Sequence, residues 1–297
     1  MPLRLVAVAL LLISTGMAED HLARPVDCSQ LLTWMVAGIP SQRLSRLVRE
    51  RGSRLRVGRS TAEFLSNVGA GTELVAEMRR PDNFAAGTQA DDCPADLVKA
   101  ADLVYRQKYD NAEGIVRRLL GTDPENVDLH LALGSLRMQQ DDVDEAFDDY
   151  SDAKDLDPTF PEIHNGLSYV FYRSNDGENA IAEARTALSI DPRNAEAYRY
   201  LGLGLFANEN YPAALHAFQE SLSYDPGRAE TYYDLGLAQS GAKKLSAAAE
   251  SYRNAIRLNP ALLEARTKLR LVLHELAPKR AAVGEDAKTR SDTKASR

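Results

Sequence analysis

In "EAYRYLGLGLFANENYPAALHAFQESLSYDP", residues 196–226, apolar residues recur every three or four positions on both sides of a polar "NEN". That spacing places one apolar stripe on each of two helices joined by a short turn. The pattern returns at a constant interval along the chain. Pro124, Pro158, Pro192, Pro226 and Pro260 mark it, each after an Asp or Asn, and so do Ala112, Ala146, Ala180, Ala214 and Ala248. A small residue recurs at Ala100, Gly134, Ser168, Gly202 and Gly236, and leucine at Leu133, Leu167, Leu201 and Leu235. Aromatic rings recur at Tyr150, Phe218 and Tyr252, and again at Tyr198 and Tyr232. The small residues let paired helices approach closely. The proline opens each new unit, where its ring is tolerated in a first helical turn. One such pair cannot bury its apolar stripe alone, so successive pairs are expected to stack.

A 34-residue helix-turn-helix unit with Gly, Ala and Pro in phase resembles the tetratricopeptide repeat (TPR) family over about residues 93–260. The resemblance implies an all-α, right-handed α-solenoid of about five repeats: 93–126, 127–160, 161–194, 195–228 and 229–262. A cap helix over 263–277 follows, where Arg270 replaces the small residue. Departures fall at Asp96 and Lys99 in the first repeat, at Gly177 in the third, and at Arg137 and Gln239, where apolar residues are expected.

Before the repeats, "CSQLLTWMVAG", "SQRLSRLVRERG", "STAEFLSNVGAG" and "TELVAEMRR" read as four short helices. Ser41 is a candidate N-cap and Ser60-x-x-Glu63 a candidate capping box. They define a small helical module over 19–92. Residues 278–297 lack apolar periodicity and read as a disordered tail. "MPLRLVAVALLLISTGMAED" has a basic Arg4, an apolar run from Leu5 to Ile13, and small residues at Gly16 and Ala18. It reads as a signal peptide over 1–18, too short to span a bilayer, so an exported, periplasmic or extracellular protein without a membrane span is expected. Export permits a disulfide between the only cysteines, Cys28 and Cys93, the alternative being two buried thiols.

Charge excludes some functions. Residues 94–277 carry 30 acids and 19 bases, a poor general surface for nucleic acid. Arginine concentrates in the module, where Arg43, Arg46, Arg49, Arg54 and Arg56 form either a solvated helix face or a patch for an anionic partner. That partner would be anionic lipid, a polyanion or the acidic repeats of the same or another copy. "DDVDEAFDDYSDAKDLDP", residues 141–158, holds nine acids. Val143, Ala146, Phe147, Tyr150 and Ala153 form its buried stripe, which leaves Asp149 and the other helical acids on a solvated outer face. His130 and His164 occupy equivalent positions of two successive repeats and read as packing residues. No catalytic set, metal cage or cofactor motif stands out, so no enzyme activity, metal or cofactor is expected.

In the resembled family the first helix of each pair lines the inner face, where peptides bind. Subtracting packing positions leaves Met138, Asn165, Tyr169, Tyr172, Arg173, Arg199, Leu203, Phe206 and Tyr233 as the expected groove. Asn165 and Arg199 match the family's carboxylate clamp in residue type only, and no lysine lies in the stripe. The leading expectation is a non-enzymatic scaffold binding a protein segment. Self-association through the arginines and an unrecognised site in the module are the alternatives.

Overall fold

The 34-residue period becomes a series of helix hairpins in the computed structural model, which describes residues 24–55, 57–84 and 93–277. Fifteen α-helices lie among the described residues. Four belong to the amino-terminal module: α1 (Cys28–Val36), α2 (Ser41–Arg51), α3 (Arg59–Asn67) and α4 (Thr72–Met78). The repeats follow as α5 (Ala95–Tyr105) with α6 (Tyr109–Thr122), α7 (Val127–Gln140) with α8 (Val143–Leu156), and α9 (Pro161–Arg173) with α10 (Gly177–Ile190). They continue as α11 (Ala195–Ala207) with α12 (Tyr211–Tyr224), α13 (Ala229–Gly241) with α14 (Leu245–Leu258), and a last helix α15 (Leu263–Leu276). The expected all-α solenoid of helix pairs is therefore what forms. The leader over 1–18, Arg56 and the tail over 278–297 lie outside the described residues.

Each hairpin turns on a residue in the left-handed region. Gln107, Asp141, Asn175, Glu209 and Lys243 have φ between 55 and 72° and recur in phase with the repeat. None is glycine, so each accepts a steric penalty to reverse the chain within a short turn. Glu209→Gly is expected to stabilise the fold by about 0.5–1 kcal/mol, because relief of that penalty exceeds the added chain entropy. A raised urea midpoint at unchanged slope would show it. Asn175→Gly should gain less, since Asn tolerates this conformation.

The recurring "DP" and "NP" are Asx turns rather than first helical turns, since Pro124, Pro158, Pro192, Pro226 and Pro260 each lie three residues ahead of the next helix. Asp157, Asp191 and Asn259 each accept a bond at Oδ1 from the backbone N–H two residues on, at 2.9, 3.1 and 3.0 Å. Asn126 and Asn194 then cap α7 and α11, accepting from Leu129 and Ala197. The small residue of each first helix faces a side chain on the second helix of its pair. A Cβ on Gly134, Gly202 or Gly236 would sit 2.9, 2.6 or 2.6 Å from the ring of Tyr150, Phe218 or Tyr252. The third repeat reverses the sizes, with Ser168 facing the position of Ala184, both fully buried. Two departures from the pattern are compensated in kind. Arg137 donates to Asp149 at 2.7 Å, and Ser251 donates to Gln239 at 2.7 Å, each pair 12 residues apart.

The chain divides into two units, one up to Pro226 and one from Gly227. In the first, the module shares one continuous core with the repeats, from Val26 through Trp34, Leu44 and Leu65 to Leu133, Phe160 and Val170. Helix α1 packs against α5 and α7. Cys28 and Cys93 are joined by a disulfide, with Cα atoms 5.2 Å apart. Within the module, Val26, Ser53 and Phe84 make isolated β-bridges. The second unit holds α13, α14 and α15 around Ala248, Ala249, Tyr252 and Val272. Helix α15 is less polar on its surface than a solvating cap requires, since Leu263, Leu271, Leu273 and Leu276 stay 41–64% exposed.

Several local expectations are corrected. Ser41 is the first residue of α2 rather than its cap, and its hydroxyl accepts from the Gly71 N–H at 2.9 Å, tying α2 to the start of α4. Helix α3 begins at Arg59 after Gly58, without a side-chain cap from Ser60. Phe147 is exposed, at the edge of Phe171, and Asp149 is buried. Burial pushes the Asp149 carboxyl up to about 6, although Arg137 and His130 pull the other way.

Candidate functional site

The first helices of the repeats in the first unit present a face on which the module partly lies. An acid stands in the first turn of each first helix from α7 to α15, at Asp128, Glu162, Glu196, Glu230 and Glu264, again in phase with the repeat. A first-turn acid favours its own helix through the dipole. Two of these acids do more. Trp34 on α1 donates its indole N–H to Asp128 Oδ1 at 2.6 Å, and its ring lies 5.7 Å from that of Phe160. Arg43 on α2 donates to Glu162 Oε1 at 2.6 Å and pairs with Asp191 Oδ2 at 3.0 Å.

Neighbouring contacts extend this seat. Arg46 pairs with the same Asp191 carboxylate and donates to the Arg193 carbonyl at 2.9 Å. Gln42 donates to the Tyr224 carbonyl at 3.1 Å. Burial opposes the charge on Arg43, but Glu162 and Asp191 outweigh it and raise the guanidinium above its ordinary value. Arg46 shifts the other way, through burial and repulsion from Arg43. The guanidinium of Arg51 stands 5.4 Å from the centre of the Trp34 ring.

The arginine patch is therefore largely turned to partners within the chain. Arg43 and Arg46 are only 14% and 17% exposed. Arg49 donates to Glu77 at 2.9 Å, Arg54 has interactions of its own, and Arg56 lies outside the described residues. The acids that Arg43, Arg46 and Arg49 meet are Glu162, Asp191, Glu50 and Glu77, none of them in the run over 141–158. Bonds from Arg49 and Asn83 hold the Glu77 carboxyl at about 2. Its folded value lies below its unfolded one, so its contribution is complete above about pH 4.5 and is lost as pH falls towards 2. Acid titration of α4 stability should show a loss in that window, and Glu77→Gln should flatten it.

The expected groove residues divide by burial. Met138, Asn165 and Leu203 are buried, at 6, 5 and 2%. Asn165 donates at 3.4 Å to Asn194, the cap of α11, so these three are packing positions rather than lining. Tyr169, Tyr172, Arg199 and Phe206 remain half-buried, and Arg173 is exposed. The Tyr169 ring stacks between Tyr172 at 6.2 Å and Tyr200 at 5.4 Å. Arg173 lies over Tyr169 at 5.8 Å and pairs with Asp141. Arg199 lies over Tyr200 at 5.2 Å and pairs with Glu196 at 3.1 Å. Phe206 tilts against Tyr211 at 5.9 Å. Tyr233 belongs to the second unit, where its ring lies 6.0 Å from Tyr252. The site is thus a tyrosine ladder on α9 and α11 edged by two arginines. Tyr200 was missed because its repeat equivalents, Ala132, Gly166 and Asp234, carry no aromatic ring.

His130 and His164 pack between helices, each with Nε2 on the carbonyl of the proline six residues earlier, at 2.9 and 2.8 Å. Among the described residues, no group of three or more His, Cys, Asp or Glu side chains is arranged to hold a metal ion. None of the described helices is long and apolar enough to cross a membrane.

Stacked helix hairpins of constant length, with one face formed by their first helices, define a helical-repeat protein. The chain belongs to the tetratricopeptide repeat family, whose model matches residues 97–161, 165–213 and 201–262. Among solved structures, a thermophilic TPR protein of Thermus thermophilus is 18% identical, covering 60% of this chain and 97% of its own, with a TM-score of 0.55. That likeness is one of fold. Pseudomonas aeruginosa pilF is 26% identical over 52% of this chain and 70% of its own, with a TM-score of 0.46. YrrB, described as a TPR protein with an unusual peptide-binding site, is 20% identical over 57% and 87%, with a TM-score of 0.42. No curated protein matches the chain.

Proposed function

We propose that this chain is a non-enzymatic scaffold, acting outside the cytoplasm, that binds an extended segment or helix of a protein partner along the tyrosine ladder. Membership of the repeat family supports a role in protein–protein interaction. The observation that carries the finer reading is the half-exposed stack Tyr172, Tyr169 and Tyr200 with Arg173 at its edge. Aromatic rings and arginine dominate interface energies, and rings already stacked lose little freedom on binding. Arg173 pairs with an exposed Asp141, so an acid on the partner can replace that contact cheaply. The Cys28–Cys93 disulfide and the leader-like segment over 1–18 support an oxidising compartment.

Replacing Tyr172, Arg173 and Phe206 together by alanine is expected to weaken partner capture at least tenfold, about 1.4 kcal/mol, with helicity unchanged. Mature wild-type and triple-variant chains would be immobilised and compared against an envelope extract. An identical set of retained proteins in both would reject the ladder as the site.

A further inference from the structure

The seat beneath α2 is a second surface, separate from the tyrosine ladder. The contacts that place α2 on the first-helix face are made by long polar arms. Arg43 and Arg46, three residues apart, reach Glu162, Asp191 and the Arg193 carbonyl, and Gln42 reaches the Tyr224 carbonyl. Leu44, Leu47 and Val48 of the same helix are buried, and α2 packs against α4. Helix α1 shares the apolar core with α2 and is tied down further by Trp34 and by the disulfide.

The seat is also incompletely satisfied. Glu162 is only 7% exposed, yet its Oε2 has no hydrogen-bond partner among the described residues. Nor has Arg46 Nε on α2, from which Glu50 Oε1 stands 3.9 Å away. Buried polar atoms left without partners are costly, so α2 occupies this surface without fulfilling it. Its charge pairs, 14–19% exposed at Arg43, Arg46 and Asp191, weaken with salt, though less than surface pairs do.

We infer that α2 is a displaceable resident of an acidic seat. The seat is formed by Glu162, Asp191 and the carbonyls of Arg193 and Tyr224. Its external ligand is a basic amphipathic helix of a partner protein, carrying arginines three residues apart as α2 does. Two guanidinium groups at that spacing meet the two carboxylates, and an additional donor satisfies the orphaned Glu162 oxygen. Tethering gives the resident helix a high effective concentration, so the seat opens only when the latch is loosened or the partner binds better.

The full mature chain tests this with two readouts. A fluorescein-labelled peptide of residues 40–52 serves as the probe. Wild type should bind it weakly, because α2 holds the seat. Arg43→Glu with Arg46→Glu should bind it at least tenfold more tightly, and adding Glu162→Gln and Asp191→Asn should remove that gain. Equal binding by wild type and the double variant, or equal uptake of a peptide with its arginines changed to glutamate, would overturn the inference. The second readout needs no variant. Raising salt from about 0.1 to about 1 M shortens the screening length from about 10 to about 3 Å. Amide exchange should then quicken over residues 41–51 and not over 28–36. Unchanged exchange in both segments would equally refute a displaceable helix.

Discussion

Replacing Cys28 and Cys93 together by alanine is expected to cost the first unit about 4 kcal/mol, the chain-entropy value for a closed loop of this length. The disulfide joins residues 65 apart and fastens the start of α1 to the residue just ahead of α5. Its loss should fall first on the module. Trp34, the only tryptophan of the chain, reports that loss directly, because it is fully buried six residues after Cys28. In urea, the transition followed by Trp34 emission should move to lower denaturant. The transition followed by helicity should move less, since the later repeats make their own neighbour contacts. A change in Trp34 stability below about 1 kcal/mol would show that the denatured chain already restrains this loop.

Ala184→Phe should destabilise the third repeat by about 3 kcal/mol, the upper part of the usual range for overfilling a core. Ala184 is fully buried, and Ser168 opposite it is also fully buried and donates to the Ala180 carbonyl at 2.7 Å. In the second, fourth and fifth repeats an aromatic ring fills the equivalent of Ala184, and glycine makes room for it. Adding Ser168→Gly imports that arrangement whole. The double variant should recover at least half of the loss, a coupling of about 1.5 kcal/mol between two touching positions. Urea denaturation followed by helicity measures all three variants. Strictly additive effects would mean that the size exchange between repeats is not a packing constraint.

Much of the helical layout was legible because its causes are local. The spacing of Ala146, Tyr150 and Ala153 predicts one helix face, and Pro158 predicts the start of the next unit. Asp149 went astray because its burial depends on Arg137, on the preceding helix, at a position where the pattern expects an apolar residue. The two departures compensate each other, and the 12-residue interval shared with Gln239 and Ser251 was a signal available in the sequence. The groove was only half legible. Tyr169, Tyr172 and Arg173 follow from subtracting packing positions. Asn165 and Leu203 do not, because neighbouring repeats bury part of the same face. The acids from Asp128 to Glu264 carried the full period and were equally readable, but nothing local says which of them meets a tryptophan or an arginine.

By itself, then, the sequence determined the repeat unit, the order of the helices, their first-turn acids and the part of the tyrosine ladder that lies on α9. Those features rest on periodicity, capping and turn chemistry acting within a single repeat or between neighbours. Tertiary structure alone decided that the arginine helix lies on the repeats of its own chain, through Arg43 with Glu162 and Arg46 with Asp191. Those partners are 119 and 145 residues apart. A charge pair at such separation has no spacing rule. It forms because the shared core around Trp34 and Phe160 holds the two surfaces together, which brings the carboxylates to the guanidinium ends.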